Sequence, residues 1–131
     1  MKLDPNLFSV HDISRFPFCV VRNHAVVPGY SHQWDKEITA LMNQPQPFVL
    51  VYLSTVIEES HEDRRHRGIW LKQNKEPIAR VCKSLISVEP DAVRREEIRL
   101  QGQIAVKAFG IPHAAVASLD EAQEVARELL G

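Results

Sequence analysis

From Pro47 to the end of the chain, short apolar runs rich in strand formers alternate with longer charged stretches. The apolar runs are Phe48–Leu53 (FVLVYL), Leu85–Val88 (LISV) and His113–Ala117 (HAAVA), and each precedes a segment with helical spacing. Such alternation predicts βαβ units and a mostly parallel sheet. The run at Phe48 is apolar at every position, which suits a central strand covered on both faces.

Before Pro47 the signals are mixed. Leu7, Phe8, Val10 and Ile13 predict a short edge strand or an ordered arm within residues 1–15. Phe16–Arg22 is rich in strand formers, with Pro17 near its start, where an edge strand tolerates it. Ser31 is placed to accept a free backbone N–H at the start of the first helix. Trp34, Ile38, Leu41 and Met42 give that helix one apolar face. Asp35 and Glu37 fall in its early turns, favoured by the positive end of the helix dipole.

A second helical region runs from His61 to Lys83, and Pro77 divides it into two pieces joined near Asn74. Cys82 follows Val81 on its apolar face. Glu89-Pro90-Asp91 opens a third helix with proline in the first turn. Val93, Glu97, Leu100, Ile104 and Phe109 form its stripe, and Gly110 ends it. Ser118 and Glu121 have capping-box spacing before a fourth helix. Its buried face reads Leu119, Ala122, Val125, Ala126 and Leu129. The expected architecture is therefore α/β, one domain over residues 1–131. It has a mixed, mostly parallel sheet of four or five strands with about four helices.

Composition narrows the function classes. A formal net charge of −1 removes the general electrostatic case for nucleic-acid binding. No apolar run approaches the roughly 18 residues of a membrane span, and the first residues lack the apolar centre of a signal peptide. Cys19 and Cys82 are too few for a disulfide framework and read as core residues. A reduced, cytoplasmic setting is the simplest expectation.

The densest polar cluster is His61-Glu-Asp-Arg-Arg-His-Arg67. It begins a helix just beyond a strand's C-terminal end, where open α/β sheets often bind ligands and helix N-termini suit anions. Arg64, Arg65 and Arg67 can hold a carboxylate or phosphate there. The plainer reading is a solvated helix face with self-supporting charges. Trp34 and Trp70, with Tyr30 and Tyr52, can line one cleft or simply fill the core. His61 and His66 are five apart and do not share a helix face as a spacing of four would. No spaced ligand set predicts a metal, and no glycine-rich loop predicts a nucleotide cofactor. Ser54 lies outside any nucleophile elbow.

The element order resembles the STAS fold, shared by sulfate-transporter tails and anti-sigma-factor antagonists. Within it the chain is most similar to small bacterial sporulation-antagonist and STAS-SEC14-type proteins. Residues 12–21, 47–54, 68–72, 108–112 and 118–122 carry the resemblance. It implies a non-enzymatic regulatory or binding domain. In the signalling branch a strand ending Asp-Leu-Ser leads to a phosphorylatable serine at the next helix. Leu53-Ser54 fits, but Tyr52 takes the acidic position, and the loop lacks the paired serine and glycine of the switch. Ser60 is the nearest acceptor, crowded by Glu58, Glu59, Glu62 and Asp63.

The leading expectation is a non-catalytic module that engages a protein partner or small ligand through the 52–67 segment. Its binding residues are Tyr52, Ser54, Ser60, His61, Arg64 and Arg65. The alternative is a small enzyme with an acid, base or nucleophile among His61, His66 and Cys82 at the strand ends. A homodimer through a sheet edge or an apolar helix face is a third option.

Overall fold

The computed structural model describes residues 3–53 and 59–131. They form five strands: β1 (His11–Arg15), β2 (Phe18–Val21), β3 (Phe48–Leu53), β4 (Cys82–Val88) and β5 (His113–Val116). The helices are α1 (Ser31–Asn43), α2 (His61–Gln73), α3 (Lys75–Val81), α4 (Ala92–Phe109) and α5 (Leu119–Leu130). The strands lie side by side in chain order. Only the β1–β2 pair is antiparallel; β2–β3, β3–β4 and β4–β5 are parallel. The chain is thus α/β with a mixed, mostly parallel sheet.

Alternation along β3 explains its uniformly apolar sequence. Phe48 and Leu50 face one core with Trp34, Ile38 and Leu41 of α1, Trp70 of α2 and Ile78 of α3. Val49 and Val51 face the other, with Ile86, Val116 and Ala122 and Ala126 of α5. Each of these four β3 side chains is at most 2% exposed. Burial of that kind stabilises by about 1.5–3 kcal/mol per side chain.

Several elements differ from the sequence expectation, each for a physical reason. Pro17 does not lie on an edge strand, because β2 is interior, between β1 and β3. The proline precedes the strand and offers its carbonyl to the Val49 N–H at 3.0 Å, so its missing donor is never needed. Cys82 begins β4 rather than ending a helix. A register shift against β3 beside Cys82 changes the face presented, so Cys82 joins the first core while Ile86 joins the second. Asp91, not Pro90, starts α4 by accepting the Arg94 N–H. In α5, Ser118 accepts the Glu121 N–H and Glu121 accepts the Ala117 N–H. Its outer residues Leu119 and Leu129 remain exposed, since the two small alanines draw the helix onto the sheet.

The division near Asn74 is present, with Pro77 in the first turn of α3. Gly110 takes a positive φ of 76° at the end of α4, a conformation that costs glycine nothing. The α4 stripe is the largest departure. Val93, Leu100 and Ile104 are 70%, 50% and 70% exposed, because α4 meets β5 through Gly102 on its opposite side.

Candidate functional site

The start of α2 is fixed to the start of α1 through one buried carboxylate. Ser60 caps α2 by accepting the Asp63 N–H at 3.2 Å, and its hydroxyl donates back to Asp63 at 2.6 Å. Asp63 also accepts the Gly29 and Ser31 N–H groups, at 2.9 and 3.2 Å, and the Ser31 hydroxyl at 2.6 Å. Burial alone would raise its pKa, but these donors win and hold the carboxyl below the usual range. Ser31 therefore serves inside α1 as a donor to Asp63 instead of capping the helix; Tyr30 takes the N-cap position.

Beside this junction lies a cleft of about 160 Å³ lined by aromatic and charged groups, among them Tyr30, Trp34, Tyr52, Glu59, Arg64 and Arg67. Arg67 grips the Glu59 carboxylate with two bonds, from Nε at 2.5 Å and from an Nη at 2.6 Å. Its guanidinium carbon stands 5.9 Å from the Trp34 ring centroid, a cation–π arrangement. Trp70 packs edge-on beneath Trp34, with centroids 5.4 Å apart and planes at 81°. The Tyr30 hydroxyl donates to Glu59, and Arg64 approaches the same carboxylate at 3.6 Å.

The charges of the cleft are mutually stabilised. Burial opposes ionisation of Glu59, but Arg67 and Tyr30 outweigh it and lower its pKa. Burial likewise opposes the Arg67 cation, yet Glu59 raises its pKa further. Burial pushes the Tyr30 and Tyr52 phenols up, Tyr30 further through its bond to Glu59. At neutral pH the cleft thus holds a carboxylate, a guanidinium and neutral phenols. The guanidinium and the aromatic rings are the chemistry that can engage an anion and a flat apolar surface.

The sequence-predicted residues separate into groups. Tyr52 and Arg64 line the cleft, Ser60 caps α2 beside it, and His61 and Arg65 are exposed on the first turns of α2. Ser54 lies outside the described residues. The sequence marks Arg67 as one of three arginines able to hold a carboxylate and Glu59 as a neighbour of Ser60, but not their pairing with each other, eight residues apart across a loop–helix junction. Tyr30, Trp34 and Tyr52, grouped from the sequence as possible cleft residues, all line it, while Trp70 packs beneath.

His61, His66 and Cys82 share no hydrogen bond. His66 bonds Asp35 at 2.9 Å and stacks against His32, while Cys82 is fully buried with its thiol pushed up to about 12 by burial. Among the described residues no three His, Cys, Asp or Glu side chains converge as a metal site. No described helix is long and apolar enough to cross a membrane.

A larger groove of about 610 Å³ opens where α5 leaves the β2 side of the sheet uncovered, between Phe18, Ala126 and Leu130. Its polar side chains, Arg15, Gln123 and Arg127, make no bond to one another, so it lacks the organised polar groups of the smaller cleft. No protein-family model, curated protein or solved structure matches the chain.

Proposed function

We propose that the protein is a non-catalytic, regulatory binding module that docks an acidic side chain of a protein partner in the Tyr30–Tyr52–Arg67 cleft. The observation that carries this reading is the Arg67 fork, already closed on an internal carboxylate from Glu59 and backed by Trp34. Glu59 occupies the position an incoming carboxylate or phosphate would take, and exchange would preserve the charge balance of the cleft. Its volume of about 160 Å³ suits one side chain. Pockets for complete small organic ligands usually run to about 300–1,000 Å³. That difference favours a protein partner over a free metabolite.

The resemblance to STAS proteins, drawn from the sequence, implies a binding role. Because Ser60 is committed to the α2 cap, the reading needs no phosphorylation. Exposed Arg64 and Arg65 would guide the acidic partner towards the cleft.

An array of peptides carrying Glu, Asp or phosphoserine beside an aromatic residue tests the reading, with hits titrated by tryptophan fluorescence. Acidic peptides should bind, and Arg67→Gln should weaken them by roughly 10–100-fold, the worth of a charge-assisted pair. The Arg64→Glu/Arg65→Glu double variant should also weaken binding while leaving the thermal melt unchanged. Equal binding of neutral and acidic peptides would remove the cleft from consideration, as would unaltered binding by both variants.

A further inference from the structure

The exposed side of α4 carries a regular pattern that the fold itself does not use. Val93, Glu97, Leu100, Ile104 and Lys107 are all exposed and follow one another at spacings of 4, 3, 4 and 3 residues. This is the spacing of a coiled-coil seam. At about 100° per residue the five side chains fall within an arc of about 80°. Gly102, which faces His113 of β5, lies diametrically opposite. The seam therefore points away from the sheet.

The charges on α4 identify what covers this seam. Arg94 pairs with Glu89, Arg95 donates to the Glu89 and Pro90 carbonyls, and Glu96 pairs with Arg99. Glu97 and Lys107 are the two charged side chains of α4 with no partner among the described residues, and both belong to the seam. We propose that α4 pairs with α4 of a second copy of this chain, antiparallel, about a two-fold axis level with Gly102. Leu100 then meets the partner's Ile104, and Ile104 meets the partner's Leu100. Glu97 meets the partner's Lys107, and Lys107 meets the partner's Glu97. Each apolar contact and each ion pair is generated twice by the same symmetry, as a closed isologous dimer requires.

A parallel pairing would place Glu97 against the partner's Glu97 and Lys107 against the partner's Lys107. Like charges facing one another disfavour it. The surface is small, since an 18-residue helix is about 27 Å long. The dimer is accordingly concentration-dependent rather than obligate. This contact lies on a different surface from the acidic-partner cleft and stands without it.

Sedimentation equilibrium up to millimolar protein, with charge-swap variants, tests the pairing. The wild type should dimerise. Glu97→Lys and Lys107→Glu should each weaken the dimer by roughly tenfold, because each turns two attractions into two repulsions. The Glu97→Lys/Lys107→Glu double variant should restore it. An equimolar mixture of Leu100→Cys and Ile104→Cys proteins should form a mixed disulfide faster than either alone; native Cys19 and Cys82 are buried and give little background. All four positions are exposed, so the melt of each monomer should hold. A monomeric wild type at every concentration would overturn the proposal. So would a dimer indifferent to the single swaps, or one that the double swap fails to restore.

Discussion

The Asp63 carboxylate of α2 accepts the Ser31 hydroxyl of α1 at 2.6 Å, and this bond sets where the two helix starts stand relative to each other. Three further donors, the Gly29 N–H, the Ser31 N–H and the Ser60 hydroxyl, converge on the same buried carboxylate. Asp63→Ala leaves them without an acceptor, and buried donors lost in this way cost about 1–3 kcal/mol each before relaxation. Chemical denaturation should show a loss on the order of 3 kcal/mol, against about 1 kcal/mol for Ser31→Ala. Near-equal losses would mean that Asp63 acts only through Ser31.

Gly102 is required for packing rather than for backbone freedom. A Cβ at this position would stand 1.9 Å from His113 Nδ1. The ring cannot swing away freely, because its Nε2 bonds the Ser87 hydroxyl at 2.9 Å within the sheet. Gly102→Ala should therefore destabilise by about 1–3 kcal/mol, although alanine is the better helix former by about 1 kcal/mol. In a His113→Ala background the same substitution should become neutral or stabilising. A penalty that persists there would place the obstruction elsewhere.

Much of this architecture could be read from the chain because it is written in local periodicity. The apolar run at Phe48, the capping serine before α5 and the stop at Gly110 each reflect interactions within a few residues. The misreadings have the opposite character. The sequence accounts for Glu37 only by the helix dipole, but its carboxylate turns inward to residues 26–28 positions earlier. Cys82 looked helical because a register shift in a parallel pair leaves no mark in sequence. The stripe of α4 was visible, but nothing local distinguishes a stripe facing the core from one facing solvent. The candidate site shows the same divide. Arg64, Tyr52 and Tyr30 were evident from their cluster, strand and aromatic grouping, whereas the grip of Arg67 on Glu59 depends on how two helix starts meet.

Glu37 makes the stability of the N-terminal region depend on acid. It is 2% exposed and accepts from the Ser9, Val10 and His11 backbone, from Gln33, and from His11 Nδ1 at 2.9 Å. Burial raises its pKa, but the His11 and Gln33 side chains and the backbone donors outweigh that, and the net value falls from 4.5 to about 2. A folded-state pKa below the unfolded value gives stability that is present above pH 4.5 and lost as pH falls towards 2. The contribution is on the order of 2–3 kcal/mol. Denaturation midpoints across this window should decline in the wild type. Glu37→Gln should be less stable at pH 7 and show a shallower decline. A parallel decline would assign the acid sensitivity to other carboxylates, Asp63 foremost.

The two cysteines offer a direct test between the binding and enzymatic readings. Cys19 and Cys82 are both fully buried, and burial pushes each thiol up to about 12. With such a pKa only about one thiol in 10⁵ is ionised at pH 7, and the thiolate is the reactive form. Neither side chain bonds a histidine that could remove its proton; Cys19 leans on the Pro17 carbonyl and Cys82 on the Ser84 carbonyl. The native protein should therefore react with a thiol-specific disulfide reagent only as fast as it opens, and denaturant should release two equivalents promptly. Rates should follow stability, so Asp63→Ala should accelerate labelling in step with its loss of folding free energy. Rapid labelling of Cys82 in the folded wild type, with an acid limb near neutral pH, would instead identify an activated nucleophile and favour the enzyme.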